Sequence, residues 1–218
     1  MKPHQNNKYI PMTITFFQIL SLGLTLLFSC SCKGEVIVEN STSELHEEVL
    51  IVYLSRTNNT KAVAEMIQNE IGGTLVQLEL KTPYPDDYEA IVDQVSQENQ
   101  TGYLPPLKTR IDSIDKYDVV FLGFPTWGMQ LPPPMKSFLH LYDLSGKTVI
   151  PFNTNGGYGV GSSFETVKEL CPDCKIPDGY STRGGSERDG ILFVMRGNRE
   201  VEVRQEIQSW LRRNGQLK

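Results

Sequence analysis

The stretch Val49-Leu50-Ile51-Val52-Tyr53-Leu54-Ser55-Arg56-Thr57-Asn58-Asn59-Thr60 decides the fold. Its first six residues run continuously apolar between Glu47-Glu48 and Ser55. A strand buried on both faces reads this way, which points to a parallel sheet. The next six switch to hydroxyl and amide side chains around Arg56. From Asn59 to Ile71 the apolar residues Ala62, Val63, Met66 and Ile67 fall at helical spacing, and Gly72-Gly73 closes the helix. A helix start carries unpaired backbone N–H groups and positive partial charge, so an anion fits there. The hydroxyls of Ser55, Thr57 and Thr60 would add donors to a phosphate. The loop lacks the Gly-Lys-Ser/Thr ending of a Walker loop and the glycine fingerprint of dinucleotide sites. On its own it reads equally well as a helix cap formed by Asn58 or Asn59.

Outward from this stretch the pattern repeats. Thr74 to Leu80 alternates as a more exposed strand, and Pro83-Tyr84-Pro85 interrupts it. Asp86 or Asp87 is placed to cap a helix that reaches about Asn99. Asp118 to Gly123 is a second buried strand. Pro132-Pro133-Pro134 then opens a helix through Leu139, prolines being tolerated in a first turn. Thr148 to Phe152 is a third central strand and Gly161 to Leu170 a helix. A short strand near Ile191 to Met195 and a helix from about Glu200 to Arg213 complete the chain. Strands alternating with helices predict a doubly wound parallel sheet.

Such sheets bind ligands beyond the carboxyl ends of their strands. Two further strand ends are marked. Gly123-Phe124-Pro125-Thr126-Trp127-Gly128 offers a flat apolar ring with a tethered N–H, although a lone Trp is more often a core residue. Asn153-Thr154-Asn155-Gly156-Gly157-Tyr158-Gly159 has three glycines that let the backbone approach a ligand closely.

Ile51 to Thr60, with Ala64 beyond it, closely resembles the flavodoxin signature, and Gly-x-Pro-Thr-Trp and Pro-Phe-x-Thr-x-Gly-Gly-x-Gly are similar to that family's later motifs. The likeness spans roughly Val49 to Leu170. It implies a flavodoxin-like α/β fold, five parallel strands in the order 2-1-3-4-5 with helices on both faces. It implies FMN as cofactor, with Ser55, Arg56, Thr57, Asn58, Asn59 and Thr60 around the phosphate. Trp127 would stack on the flavin ring, beside Pro125, Thr126 and a flexible Gly128 peptide. Thr154, Asn155, Gly156 and Gly157 would hold the pyrimidine edge, and Tyr158 would either cover part of the ring or face solvent. Asn58 stands where many members carry a small residue, and Asn tolerates the left-handed region better than most.

The resemblance implies an electron carrier with no acid or base of its own, serving a redox partner protein or a small-molecule acceptor. An FMN-dependent reductase, for example of quinones with NAD(P)H as donor, is the alternative within the family. A flavin-free interaction module is the alternative from another class. Stacking and a negative domain would both lower the potential of the fully reduced flavin.

Composition fits a single buried domain, at 218 residues with 39% hydrophobic and 22% charged. The net charge is −5. The first 29 residues hold Lys2 and Lys8 and no acid, so losing those two positive charges makes it −7. That balance argues against nucleic acid as a partner, since phosphate binding needs clustered Lys and Arg.

Lys2 and Lys8 precede an apolar run from Ile10 to Phe28 that ends in Leu27-Phe28-Ser29-Cys30, the layout of a secretory signal over residues 1–29. The ending resembles a bacterial lipobox, with Cys30 as the lipidated residue. An uncleaved membrane anchor is the alternative, weakened by Pro11, Thr13, Thr15 and Gln18. Cys32 lacks the branched apolar residue expected before it. Either way the domain lies outside the cytoplasm, as a membrane-anchored protein of the cell envelope. Residues 30–48 read as the anchor cysteine and a polar linker, and residues 49–218 as the folded domain.

Cys171-Pro172-Asp173-Cys174 falls at a helix C-terminus, whereas redox-active pairs sit at helix N-termini. It reads as a structural disulfide or two free thiols. The histidines His4, His46 and His140 form no cluster, and no metal site or catalytic set is visible.

Overall fold

The computed structural model describes residues 47–218. The signal segment 1–29, Cys30 and the linker as far as residue 46 lie outside the described residues.

Residues Val49–Tyr53 form strand β1, Asn59–Ile71 helix α1, Thr74–Gln77 β2 and Tyr88–Thr101 α2. Val119–Pro125 form β3, Pro133–Leu141 α3 and Thr148–Asn155 β4. Ser163–Leu170 form α4, Tyr180–Arg183 β5 and Asn198–Arg213 α5. The five strands make one sheet in the order β2-β1-β3-β4-β5, every neighbouring pair parallel. The chain leaves β1 for the sheet edge at β2 and returns on its other side at β3. The crevice between the β1 and β3 ends is therefore a topological switch point.

Side chains alternate across the sheet with period two. Leu50 and Val52 join Val120, Leu122, Met135 and Phe138 in the core beneath α3 and α4. Ile51 and Tyr53 face the other way, with Phe121, Ile150, Val63, Ile67 and Val203 beneath α1 and α5. Trp210 of α5 is almost fully buried, meets Phe121 edge-on at 5.8 Å and donates its indole N–H to the Asp178 carbonyl at 2.8 Å.

Several boundaries differ from those expected. β2 stops at Gln77, because Leu80 turns away to pair antiparallel with Leu107. α2 begins at Tyr88, capped by the Asp87 carboxylate, which accepts from Ala90 N at 2.8 Å, and it runs two residues past Asn99. β3 and β4 outrun their apolar stretches. Phe124 pairs with Asn153 and Pro125 with Thr154, so Asn153, Thr154 and Asn155 are strand and not loop. The fifth strand is Tyr180–Arg183 and not Ile191–Met195. Edge position explains the miss: β5 is short, with Ser181 and Arg183 outward, whereas Ile191, Leu192 and Phe193 are exposed and irregular.

Cys171 and Cys174 form a disulfide at the end of α4. His140 is exposed, its Nδ1 at 3.0 Å from the Lys136 carbonyl oxygen. Among the described residues no helix is long and apolar enough to cross a membrane.

Candidate functional site

The loop between β1 and α1 closes with Asn58 in the left-handed region, φ 63° and ψ 0°. Its side chain caps nothing; the residue supplies a backbone bend that few L-residues tolerate. Ser55 does the capping, its hydroxyl accepting from Lys61 N at 3.3 Å. The N–H groups of Thr57, Asn58, Asn59 and Thr60 meet no acceptor within the described protein. Together they form the donor set and partial charge that a dianionic phosphate needs.

The side chains of this loop divide their work. Thr57 lines the cavity. The Thr60 hydroxyl shares a buried hydrogen bond with that of Thr154 at 2.8 Å, tying α1 to β4. Asn59 is buried and donates to Thr57 Oγ1 (2.9 Å) and the Leu192 carbonyl (2.6 Å), while its Oδ1 accepts from Val194 N (3.0 Å). It fastens the segment after β5 to the loop. Arg56 points to protein as well. Its Nε donates to Glu187 Oε1 at 2.7 Å, and its other nitrogens donate to the carbonyls of Pro85 and Asp86. Three loops meet on that guanidinium.

After β3, Trp127 N–H and carbonyl pair with Gln130, and Gly128 and Met129 both have positive φ (55° and 61°). This is a mirror-image two-residue turn, which needs Gly at one centre and strains Met129 at the other. The Met129 carbonyl accepts from Ser162 N at 3.0 Å. Trp127 is half-buried and held in a T-shaped contact with Tyr84, ring centroids 5.5 Å apart. Burial and the adjacent Glu98 carboxylate, to which Tyr84 donates at 2.5 Å, push the Tyr84 hydroxyl well above its ordinary pKa.

The β4 end is held by a polar ladder. Asn153 Nδ2 donates to the Phe124 carbonyl and to Thr126 Oγ1, both at 3.0 Å, and Thr126 donates to the Gly159 carbonyl at 2.9 Å. Asn155 Oδ1 accepts from Gly157 N (2.9 Å) and Gly159 N (3.1 Å), shaping the glycine turn. Tyr158 is 66% exposed at the rim, where its hydroxyl accepts from Arg188 at 2.8 Å.

One cavity of about 670 Å³ joins these parts. Arg56, Thr57, Asn59, Thr60, Pro125, Thr126, Trp127, Gly128, Thr154, Asn155, Gly156 and Tyr158 line it. Ser55, Asn58 and Gly157 are not among the lining residues; Asn58 and Gly157 shape the adjoining turns with positive φ, and Ser55 caps α1.

The sequence profile of the flavodoxin family matches residues 48–192. The chain belongs to the flavodoxin family. A flavoprotein from Bacteroides eggerthii is 29% identical, covering 76% of this chain and 96% of its own, with TM-score 0.61. One from Bacteroides uniformis is 25% identical, covering 74% and 97%, also with TM-score 0.61. The flavoprotein of Lactobacillus acidophilus in complex with FMN shares the fold at 23% identity, covering 66% and 98%, TM-score 0.57. A search of curated proteins finds no match.

This flavodoxin-family cavity has two walls that the motifs did not reveal. One is the strap after β5, contributing Gly185, Ser186, Glu187 and Arg188. Gly184-Gly185 was its only signal in the sequence, and Gly185 has no room for a Cβ against the Ile191 and Leu192 carbonyls. The other is α2, whose Tyr88 and Val92 are exposed apolar residues four apart on one face. Among the described residues no cluster could hold a metal ion.

Proposed function

We propose that this protein binds FMN in the cavity at the β1/β3 switch point and serves as an electron-transfer flavoprotein tethered to a bacterial membrane through Cys30. The reading rests above all on one juxtaposition: a helix start with unpartnered N–H groups, at Thr57, Asn59 and Thr60, and the Trp127 indole ring line the same cavity. The phosphate would sit on the N–H groups of Thr57, Asn58, Asn59 and Thr60 and on the Thr57 hydroxyl. The ring would lie against Trp127, with Gly128, Thr126 and Pro125 along one side and Thr154, Asn155 and Gly156 along another. FMN when bound supplies the redox chemistry, accepting and returning electrons at its ring.

The chain's own contribution is positional. Arg56 clamps the loops around the phosphate end. Asn153 ties the end of β4 to β3, and Asn155 ties it to β5 and to the glycine turn. An acidic domain disfavours added negative charge and so favours electron donation over storage. The partner would be a redox protein, or a small-molecule acceptor.

The test is the visible spectrum of the purified protein, followed by an assay of NADH and NADPH oxidation. Bound yellow flavin without nicotinamide oxidation is the expected result. A protein that stays colourless with added FMN would leave only a membrane-tethered interaction module.

A further inference from the structure

Ile191, Leu192 and Phe193, consecutive in the segment that follows the strap, are 48%, 53% and 37% exposed. An exposed apolar cluster of this kind marks an interaction site. The segment is not loose chain that has failed to collapse. Ser186 and Ile191 pair antiparallel, closing residues 187–190 into a turn, and Ile191 N donates to the Ser186 carbonyl at 2.9 Å. Asn59 donates to the Leu192 carbonyl and accepts from Val194 N, and Met195 enters the core that holds Val203 and Trp210. The Ile191 and Leu192 carbonyls crowd Gly185, where there is no room for a Cβ. With its carbonyls turned inward on Gly185 and Asn59, the pinned backbone leaves the three side chains outside.

The charges around this tip leave arginine in excess. Arg188 and Arg196 bracket it along the chain and Arg183 precedes the strap, all three exposed. The nearby acids are already matched: Glu187 to Arg56, Asp189 to Arg188, Glu200 to Arg204 and Glu202 to Arg199. Among the described residues Arg183 and Arg196 form no side-chain hydrogen bond or ion pair. Residues 183–199 carry Arg183, Arg188, Arg196 and Arg199 against Glu187 and Asp189, a net of +2 in a chain whose net charge is −5.

We propose that residues 188–196 form a docking tip that rests the domain on an anionic bilayer. The acyl boundary takes Ile191, Leu192 and Phe193, and the guanidinium groups stay level with the headgroups while their stems lie along the apolar zone. A stable protein interface takes about 20–30 residues a side, whereas this apolar tip is three residues between polar ones. The proposal deepens the tethering reading, which brings the domain to a membrane, and does not depend on FMN. The chain enters the sheet at the start of β1, and the tip lies at the carboxyl ends of the strands. Residues 31–48 span up to about 60 Å when fully extended, more than twice the ~26 Å of β4, so the tether permits the contact. Because Gly185 to Arg188 line the cavity, a docked tip also holds the cavity mouth at the membrane surface.

The experiment uses the full chain, acylated at Cys30, on vesicles of phosphatidylcholine with phosphatidylglycerol whose acyl chains are brominated or not. Leu192→Trp carries the probe, Ile191→Trp repeats it should the first variant unfold, and wild type supplies the Trp127 and Trp210 background. Flotation with the vesicles and thermal unfolding are measured on each. The tip predicts that bromination quenches the added indole at least about twofold, and that half or more of this quenching is lost on pure phosphatidylcholine or on adding Arg196→Glu. Flotation without quenching would overturn the tip and keep the tether. A blue shift that follows protein density on the vesicle and ignores bromination would assign the face to a second copy, which also overturns it. Equal quenching on neutral and anionic vesicles would overturn the anionic assignment. A chain that neither floats nor is quenched would end both tip and tether.

Discussion

Arg56 is where the sequence reading and the structure invite different experiments. A cation in a phosphate loop suggests direct contact with the anion. Its hydrogen bonds instead join the strap after β5 (Glu187) to the segment before α2 (Pro85 and Asp86). The Arg56–Glu187 pair is at 2.7 Å with side chains only 20% and 23% exposed, so solvent screens it less than a surface pair. A hydrogen bond to a charged group contributes about 1.5–3 kcal/mol. Three bonds from one side chain are not additive, and Glu187 keeps partial access to water once its partner is gone. Arg56→Ala should therefore cost ~3 kcal/mol. For a domain of this size that is a fall of about 6–12 °C in the apoprotein Tm. Arg56→Lys should recover little, since an ammonium cannot span three acceptors in the planar fork. The discriminating assay titrates each variant with FMN and with riboflavin, which lacks the phosphate. A clamp predicts that Arg56→Ala weakens both flavins by similar factors and lowers Tm. If Tm and riboflavin binding hold while FMN affinity falls a hundredfold, Arg56 is a phosphate ligand and the clamp is wrong.

Other consequences can be checked by thermal or denaturant unfolding. Asn58→Gly should be nearly neutral and Asn58→Val should lose about 1–2 kcal/mol, because φ is 63° there; equal stabilities would contradict the assigned backbone. Gly161→Ala should destabilise by ~3 kcal/mol or more, since the added carbon collides with the Met129 carbonyl at φ 56°; a neutral effect would show that the Trp127 turn does not pack on α4. Tyr84 has its folded pKa raised by burial and by Glu98, so the stabilising effect of its neutral hydroxyl is complete below the unfolded value near 10 and is lost as pH rises towards the folded one. Tyr84→Phe should cost about 1–3 kcal/mol at neutral pH by depriving buried Glu98 of a donor, and lose less than wild type above pH 10; parallel pH profiles would count against this contact.

The order of strands and helices was legible because buried parallel strands carry an unmistakable apolar run, as in Val49–Leu54 and Asp118–Gly123. The backbone of the three strand-end loops was legible because unusual dihedrals demand unusual residues: Asn58 for a left-handed bend, Gly128 for a mirror turn and Gly157 for a positive φ after β4. The fifth strand was not legible, since an edge strand of four residues with two facing out has no apolar run to show. The extra length of β3 and β4 escaped for a related reason: Asn153, Thr154 and Asn155 are buried as a hydrogen-bonded polar set, which resembles a loop in sequence. The strap and α2 walls escaped because their residues converge from 85–101 and 185–188 only once the sheet is formed. Side-chain duty in the β1–α1 loop was the subtlest case. Ser55, Arg56 and Asn59 have the chemistry of phosphate ligands, but Ser55 caps α1 while Arg56 and Asn59 hold neighbouring loops, and the backbone N–H groups of residues 57–60 are the donors without a protein acceptor.

The most direct measurement is the ratio of FMN to riboflavin affinity for the wild-type apoprotein, followed by quenching of flavin fluorescence. With the phosphate seated on four N–H groups at the start of α1, FMN should bind at least about 100-fold more tightly, close to 2.7 kcal/mol. Equal affinity for the two flavins, or binding of neither, would contradict the assignment of this loop.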